Sequence, residues 1–171
     1  MNLHILAPKS ELSPQLVIVT GESECGKTTW CRQQIDLAND LGWLTAGLLS
    51  PAVFQGSSKT GIDLLDIRSG ERRRLAHLRT QIDFQAATKK WIFQDEVLVW
   101  GNERLGAIET CDLLVIDELG PLEFLHNQGF TLAFDLLEKR RFRVALVVVR
   151  PSLLPQAKNK WPQGIVYTVN I

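Results

Sequence analysis

The chain carries no excess charge of either sign: 19 lysines and arginines are matched by 19 aspartates and glutamates. No global field therefore draws it toward nucleic acid or an anionic membrane. Cysteine is sparse. Cys25, Cys31 and Cys111 form neither a C-x-x-C pair nor an evenly spaced framework, which argues against a disulfide scaffold. The expectation is reduced thiols in a cytoplasmic protein. No apolar run approaches the ~20 residues of a membrane span, and no basic-then-apolar leader opens the chain. Repeats and low-complexity segments are lacking too. What is there, 171 residues with 45% hydrophobic and 22% charged, suits one α/β domain spanning residues 1–171.

The most informative stretch runs from Thr20 to Thr29. Gly21-Glu22-Ser23-Glu24-Cys25-Gly26-Lys27-Thr28 fits G-x-x-x-x-G-K-[ST], the Walker A pattern. The apolar run Leu16-Val17-Ile18-Val19 precedes it and a helix-like segment, Trp30 to Leu41, follows. Strand, loop and helix in that order are the context a phosphate-binding loop requires. Glycines let successive backbone N–H groups turn toward an anion, and the helix starting near Lys27 adds its positive dipole end. The candidate nucleotide contacts are therefore Gly21, Glu22, Ser23, Glu24, Cys25, Gly26, Lys27, Thr28 and Thr29. Lys27 would reach the β- and γ-phosphates and the Thr28 hydroxyl would bind Mg²⁺. Cys25, just before a helix N-terminus, is a candidate reactive thiol; the plainer reading is a small residue in a tight turn.

Along the rest of the chain the patterns alternate. Leu16–Thr20 predicts a buried parallel strand. Trp30, Ile35, Leu37, Ala38 and Leu41 predict the buried stripe of a helix ending at Gly42. Trp43–Ser50 predicts a second strand. Val53 to Ile67 predicts a hairpin about a Gly/Ser turn, followed by the turn Arg68–Glu71 and a strand through Leu75. This excursion either decorates the sheet or forms a flap above the phosphates. Its Arg72-Arg73-Arg74 run could contact phosphate, but no aromatic residues interleave it as in single-strand nucleic-acid sites; a solvated strand face is the expected reading. Thr80–Lys90 predicts a polar loop, Trp91–Phe93 a short strand, Asp95–Leu105 and Gly129–Arg141 helices, and Ile165–Val169 a last strand. Pro151–Gly164, with three prolines, predicts a plain connection.

The second informative place is Leu113-Leu114-Val115-Ile116-Asp117-Glu118. Four apolar residues ending in acids describe a buried strand that delivers carboxylates to the ligand-binding edge of an open α/β sheet. Asp117 is the candidate acid for Mg²⁺, joining Thr28. Glu118 beside it is the candidate base that orients and deprotonates a water. Glu123 is either a further acid near the metal or a solvated side chain. Val144–Val149 predicts another buried strand, with Arg150 at the same rim. There Arg150 could stabilise charge on the transferring phosphoryl group. The catalytic candidates are thus Lys27, Glu118 and Arg150.

The phosphate loop, the Gly47-Leu48-Leu49-Ser50-Pro51 strand end, the Gly61 to Ala76 hairpin and Asp117-Glu118-Leu119-Gly120-Pro121-Leu122-Glu123 resemble the small nucleoside-triphosphatase family that includes the vertebrate cancer-related nucleoside-triphosphatase. The resemblance implies a P-loop fold, with a mainly parallel sheet flanked by helices and an antiparallel hairpin excursion. It also implies Mg²⁺-dependent hydrolysis of several triphosphates, ATP, GTP or others, with little base preference. The chain departs from that family where Glu22, Ser23 and Glu24 replace the usual Pro and Gly, and where the family's turn arginine is either replaced by Lys59 or missing. Two loop acids repel a triphosphate unless their side chains point outward.

Other chemistries fit less well. A P-loop kinase needs an acceptor pocket and an arginine-rich lid, for which only Arg72–Arg74 is available. Asp117-Glu118-Leu119-Gly120 also fits the D-x-x-G of a GTP switch, yet the only Asn-Lys pair runs Asn159-Lys160-Trp161-Pro162 and supplies no carboxylate for guanine. A non-catalytic nucleotide-binding module is the remaining alternative.

Overall fold

The computed structural model describes residues 13–79 and 90–170. The apolar patch Leu3–Ala7 and nearly all of the expected polar loop, residues 80–89, lie outside the described residues. Continuous apolar runs form the strands of the sheet's interior because both faces of a parallel sheet are covered. These are β1 (Gln15–Thr20), β2 (Thr45–Leu49), β7 (Cys111–Leu119) and β8 (Phe142–Val149). The antiparallel strands are β3 (Ala52–Gln55), β4 (Ser58–Asp66), β5 (Arg72–Leu78) and β6 (Trp91–Phe93), and β9 (Ile165–Thr168) closes the far edge. The order across the nine-stranded sheet is β6-β5-β4-β2-β7-β8-β1-β9, with β3 paired to β4.

Parallel pairing holds from β2 through β7, β8 and β1 to β9. The excursion extends this sheet: β4 runs antiparallel to β2, setting Leu48 against Asp66 and Leu49 against Leu65. It is therefore an extension of the sheet at the β2 side. Gly47 permits close approach in the middle of β2, facing Val115 of β7. Its φ is +118°, and a side chain there would collide with the Val115 carbonyl oxygen. Only glycine tolerates both conditions.

Helix α1 (Lys27–Asp40) covers one face, over Val17, Val19, Val115 and Val148. Helices α2 (Asp95–Gly106), α4 (Leu132–Lys139) and α5 (Leu154–Lys160) cover the other, over Ile18, Leu114, Ile116 and Val147. Three local expectations change. The buried stripe of α1 is Cys31, Gln34, Ile35 and Ala38, the i, i+3, i+4, i+7 positions. Leu37 falls outside that stripe and Leu41 caps the helix, and both are exposed. The stretch Pro151–Gly164 contains a 3-10 turn, Pro151–Leu153, and α5. Proline at the first positions of these helices lacks only an N–H that would be unpaired anyway. Finally α4 starts at Leu132, later than Gly129, because Gly129 has a φ of +72° and the Phe130 N–H is drawn to Glu123.

Candidate active site

Strand β1 ends against the loop, and α1 begins with Gly26 as its N-cap residue. Gly21 has a φ of +148°, and an added Cβ would stand 2.6 Å from the Val169 carbonyl oxygen and 2.7 Å from Cys25 Sγ. The loop thus runs tight against the end of β9, where Val169 N–H also donates to the Thr20 carbonyl at 2.8 Å. Lys27 Nζ donates to the Gly21 carbonyl at 2.8 Å and the Glu22 carbonyl at 2.5 Å. Its ammonium therefore sits within the loop it follows. Glu22, Ser23, Glu24, Gly26 and Thr29 are exposed, whereas Thr28 is half-buried. Exposure lets the two loop carboxylates face water, the arrangement that keeps repulsion of an anion small. Cys25 is buried and its Sγ donates to the Val169 carbonyl at 3.4 Å, which closes the loop onto β9.

Across β8, strand β7 brings the acids to the same edge. Asp117 is buried; its Oδ2 accepts from the Ser50 amide at 2.9 Å, and Ser50 Oγ donates to the Asp117 carbonyl at 2.9 Å. The Thr28 side chain lies near enough to Asp117 to favour its ionised form. The β7–β8 register shifts between Ile116 and Leu119, and Glu118 adopts a φ of +82°. A bulge with a left-handed, non-glycine residue re-aims a side chain at a cost of about 1–3 kcal/mol. Here the Glu118 carboxylate pairs with Arg150 Nε, which follows β8. Because β8 lies between β1 and β7, Arg150 stands at the end of the strand separating the loop from the acids.

Burial raises Asp117 from an ordinary value of 3.8 to about 6; the Ser50 amide, Thr28 and the Lys27 charge oppose this, and the Glu118 charge adds to it. Its folded pKa thus exceeds its unfolded one. The stabilising effect of holding the proton is fully present below pH 3.8 and is lost as pH rises through about 6, because the unfolded chain releases its proton first. In metal-free protein, the stability of the native sequence relative to Asp117→Asn should fall by about 3 kcal/mol across that window. Denaturant unfolding at a series of pH values measures it, and Glu123, present in both proteins, cancels. A pH-independent difference would contradict the assignment.

Among the described residues no group of three or more His, Cys, Asp or Glu could hold a metal ion. One carboxylate, Asp117, and one hydroxyl, Thr28, offer hard oxygen donors near each other. That set fits Mg²⁺, which keeps waters and phosphate oxygens and takes only one or two protein ligands.

Glu123 is neither an acid facing the metal position nor solvated. It is buried in α3 (Pro121–His126), accepting from Gly120 N–H at 2.8 Å and Phe130 N–H at 2.9 Å. Burial raises its pKa. It caps α3 and ties the following turn to it. Arg72 and Arg74 pair with Asp63, and Arg73 pairs with Glu71 and lies 4.5 Å over the Trp100 ring. The run is a solvated, ion-paired strand face. Lys59 lies 5.3 Å over the Trp91 ring. Ser50 was missed as a contact of the acid site: it stands at a strand end with no local signal, and its partner is 67 positions away.

The NTPase family model matches residues 16–170. The nucleoside-triphosphatase THEP1 of Methanothermobacter thermautotrophicus is 31% identical over 120 residues, covering 70% of this chain and 67% of that protein. The THEP1 of Thermococcus kodakarensis is 27% identical over 162 residues, covering 90% and 84%. That of Methanopyrus kandleri is 26% identical over 114 residues; the match takes in 67% of this chain and 62% of that protein's length. Among solved structures, a human cancer-related nucleoside triphosphatase superposes with a TM-score of 0.64 at 19% identity, over 92% of this chain and 88% of that one. THEP1 from Aquifex aeolicus gives 0.61 at 16%, over 91% and 90%. At such identities the structural likeness concerns the fold, and it agrees with the sheet and helices described above. With a family model that runs from β1 to the end of β9, this chain belongs to the NTPase family of nucleoside-triphosphatases.

Proposed function

We propose that the chain hydrolyses nucleoside triphosphates to the diphosphate and phosphate in a Mg²⁺-dependent reaction with little base preference, water being activated by Glu118. The observation that carries this reading is the Glu118 carboxylate, set beside buried Asp117 and paired with Arg150 at the rim next to the phosphate loop. The loop amides and Lys27 hold the phosphates. Thr28 and Asp117 would hold a Mg²⁺ ion, which would supply neutralisation of the negative charge that develops on the leaving diphosphate. Arg150 has two anionic partners to choose between, Glu118 and an incoming γ-phosphate. When it turns to the phosphate, the Glu118 carboxylate is released to accept a proton from water. The water oxygen bonds to the γ-phosphorus as the bond to the β-bridging oxygen breaks, yielding diphosphate, phosphate and a proton. Arg150 then faces the charge of the transferring phosphoryl group.

A kinase lid is not supported, because the three arginines that would form it are held by Asp63 and Glu71 of the sheet extension and by Trp100 of α2. Phosphate release from ATP, GTP, CTP and UTP, with Mg²⁺ and with a chelator, tests the proposal. Comparable turnover on all four, lost on chelation, is the expected result. A large preference for one base, or phosphate appearing on an added acceptor instead of free in solution, would overturn it.

A further inference from the structure

One pair of side chains beside the phosphate loop has no part in the chemistry above. Trp30 and Tyr167 are stacked, with ring centroids 4.7 Å apart and planes at 28°. Both are half-buried and pack against the core beneath α1. Trp30 lies in the first turn of α1, and its amide donates to the Gly26 carbonyl at 2.8 Å. A helical side chain leans toward the N-terminus of its helix, so the indole inclines toward the loop. Tyr167 sits opposite Val19 in β9, two residues before Val169, whose carbonyl receives the Cys25 thiol. The two rings are thus seated by both ends of the phosphate loop.

The sheet order places them on a definite side. Along β7-β8-β1-β9, the acids and Arg150 end the strands on one side of β1, and Tyr167 lies on the other. A triphosphate laid across the loop with its γ end toward Glu118 and Arg150 carries its α-phosphate and nucleoside toward β9. We infer that the Trp30–Tyr167 pair is the platform on which the nucleobase stacks. This rests on the proposed hydrolase reading and adds to it the means of base recognition. A ring platform accepts purines and pyrimidines alike, since every base presents a π-face. It therefore binds the base without choosing it.

Binding of Mg²⁺-ATP, Mg²⁺-CTP and Mg²⁺-tripolyphosphate, measured by calorimetry on Trp30→Ala, Trp30→Phe and Tyr167→Ala, tests the platform. Tripolyphosphate carries the phosphates and no base. Trp30→Ala should weaken ATP and CTP by about 5- to 150-fold, the range for removal of one stacking ring, and leave tripolyphosphate unchanged. Trp30→Phe should restore most of the loss, and Tyr167→Ala should give a smaller loss of the same kind. An equal loss for tripolyphosphate would mean that the ring only supports the helix, and unchanged ATP and CTP affinity would remove it from the site. Either result overturns the proposal. Should Trp30→Ala fail to fold, the comparison of Trp30→Phe with Tyr167→Ala decides on the same criterion. A separate Lys27→Ala control that leaves all three ligands bound as before would instead overturn the phosphate-loop reading, and the platform with it.

Discussion

Replacing Glu118 by glutamine is expected to lower steady-state phosphate release by about 10²–10⁴-fold, the range for a positioned general base, while nucleotide affinity changes little. The substitution keeps the shape of the side chain and an oxygen that can accept from Arg150. It removes the basicity and the charge, leaving a hydrogen bond from Arg150 in place of the ion pair. Because Glu118 sits at a bulge with a φ of +82°, alanine would be a poorer test: it frees Arg150 and alters the bulge together. Quenched-flow phosphate release and a separate binding measurement distinguish loss of chemistry from loss of affinity. Turnover close to that of the native protein would take Glu118 out of the mechanism. Arg150→Ala belongs in the same experiment. If Arg150 both pins Glu118 and faces the γ-phosphate, the two substitutions combine to less than the product of their separate effects.

Lys27→Ala should cost about 10- to 150-fold in triphosphate affinity, since a hydrogen bond to a charged group contributes about 1.5–3 kcal/mol. A further loss in turnover is expected where the same ammonium meets charge developing on the phosphates. Lys27 is the cation of a loop that also carries Glu22 and Glu24, so no neighbouring charge within that loop substitutes for it. The ammonium also holds the Gly21 and Glu22 carbonyls, and its removal loosens the loop as well as discharging it. Equilibrium binding of triphosphate and diphosphate to the variant, beside a thermal melt, separates the two effects. Affinity equal to that of the native protein for both nucleotides would overturn the role given to Lys27.

Much of the fold was legible in local pattern. Leu113–Ile116 and Val144–Val149 announce themselves as strands because a parallel interior strand is apolar on both faces. The loop motif is equally local, its amides, lysine and hydroxyl all lying within a few residues. The expected role of Glu123 failed for a reason of the same kind. Its partners, the N–H groups of Gly120 and Phe130, belong to a turn whose closure no local pattern announces. Leu37 and Leu41 misled because apolar character alone does not say which side of α1 meets the sheet.

By itself the sequence determined that a strand, a phosphate loop and a helix follow one another, and that a second buried strand ends in Asp117 and Glu118. Those features rest on neighbours in the chain. Which strand lies beside which is settled by pairing between distant segments, and only the tertiary structure decided it. Pairing β7 with β2 brings Ser50 onto Asp117, and setting β8 between β1 and β7 brings Arg150 onto Glu118 and Thr28 into reach of the Asp117 carboxylate. The raised pKa of Asp117 has the same origin, since desolvation depends on what is packed around a residue and never on the residue alone.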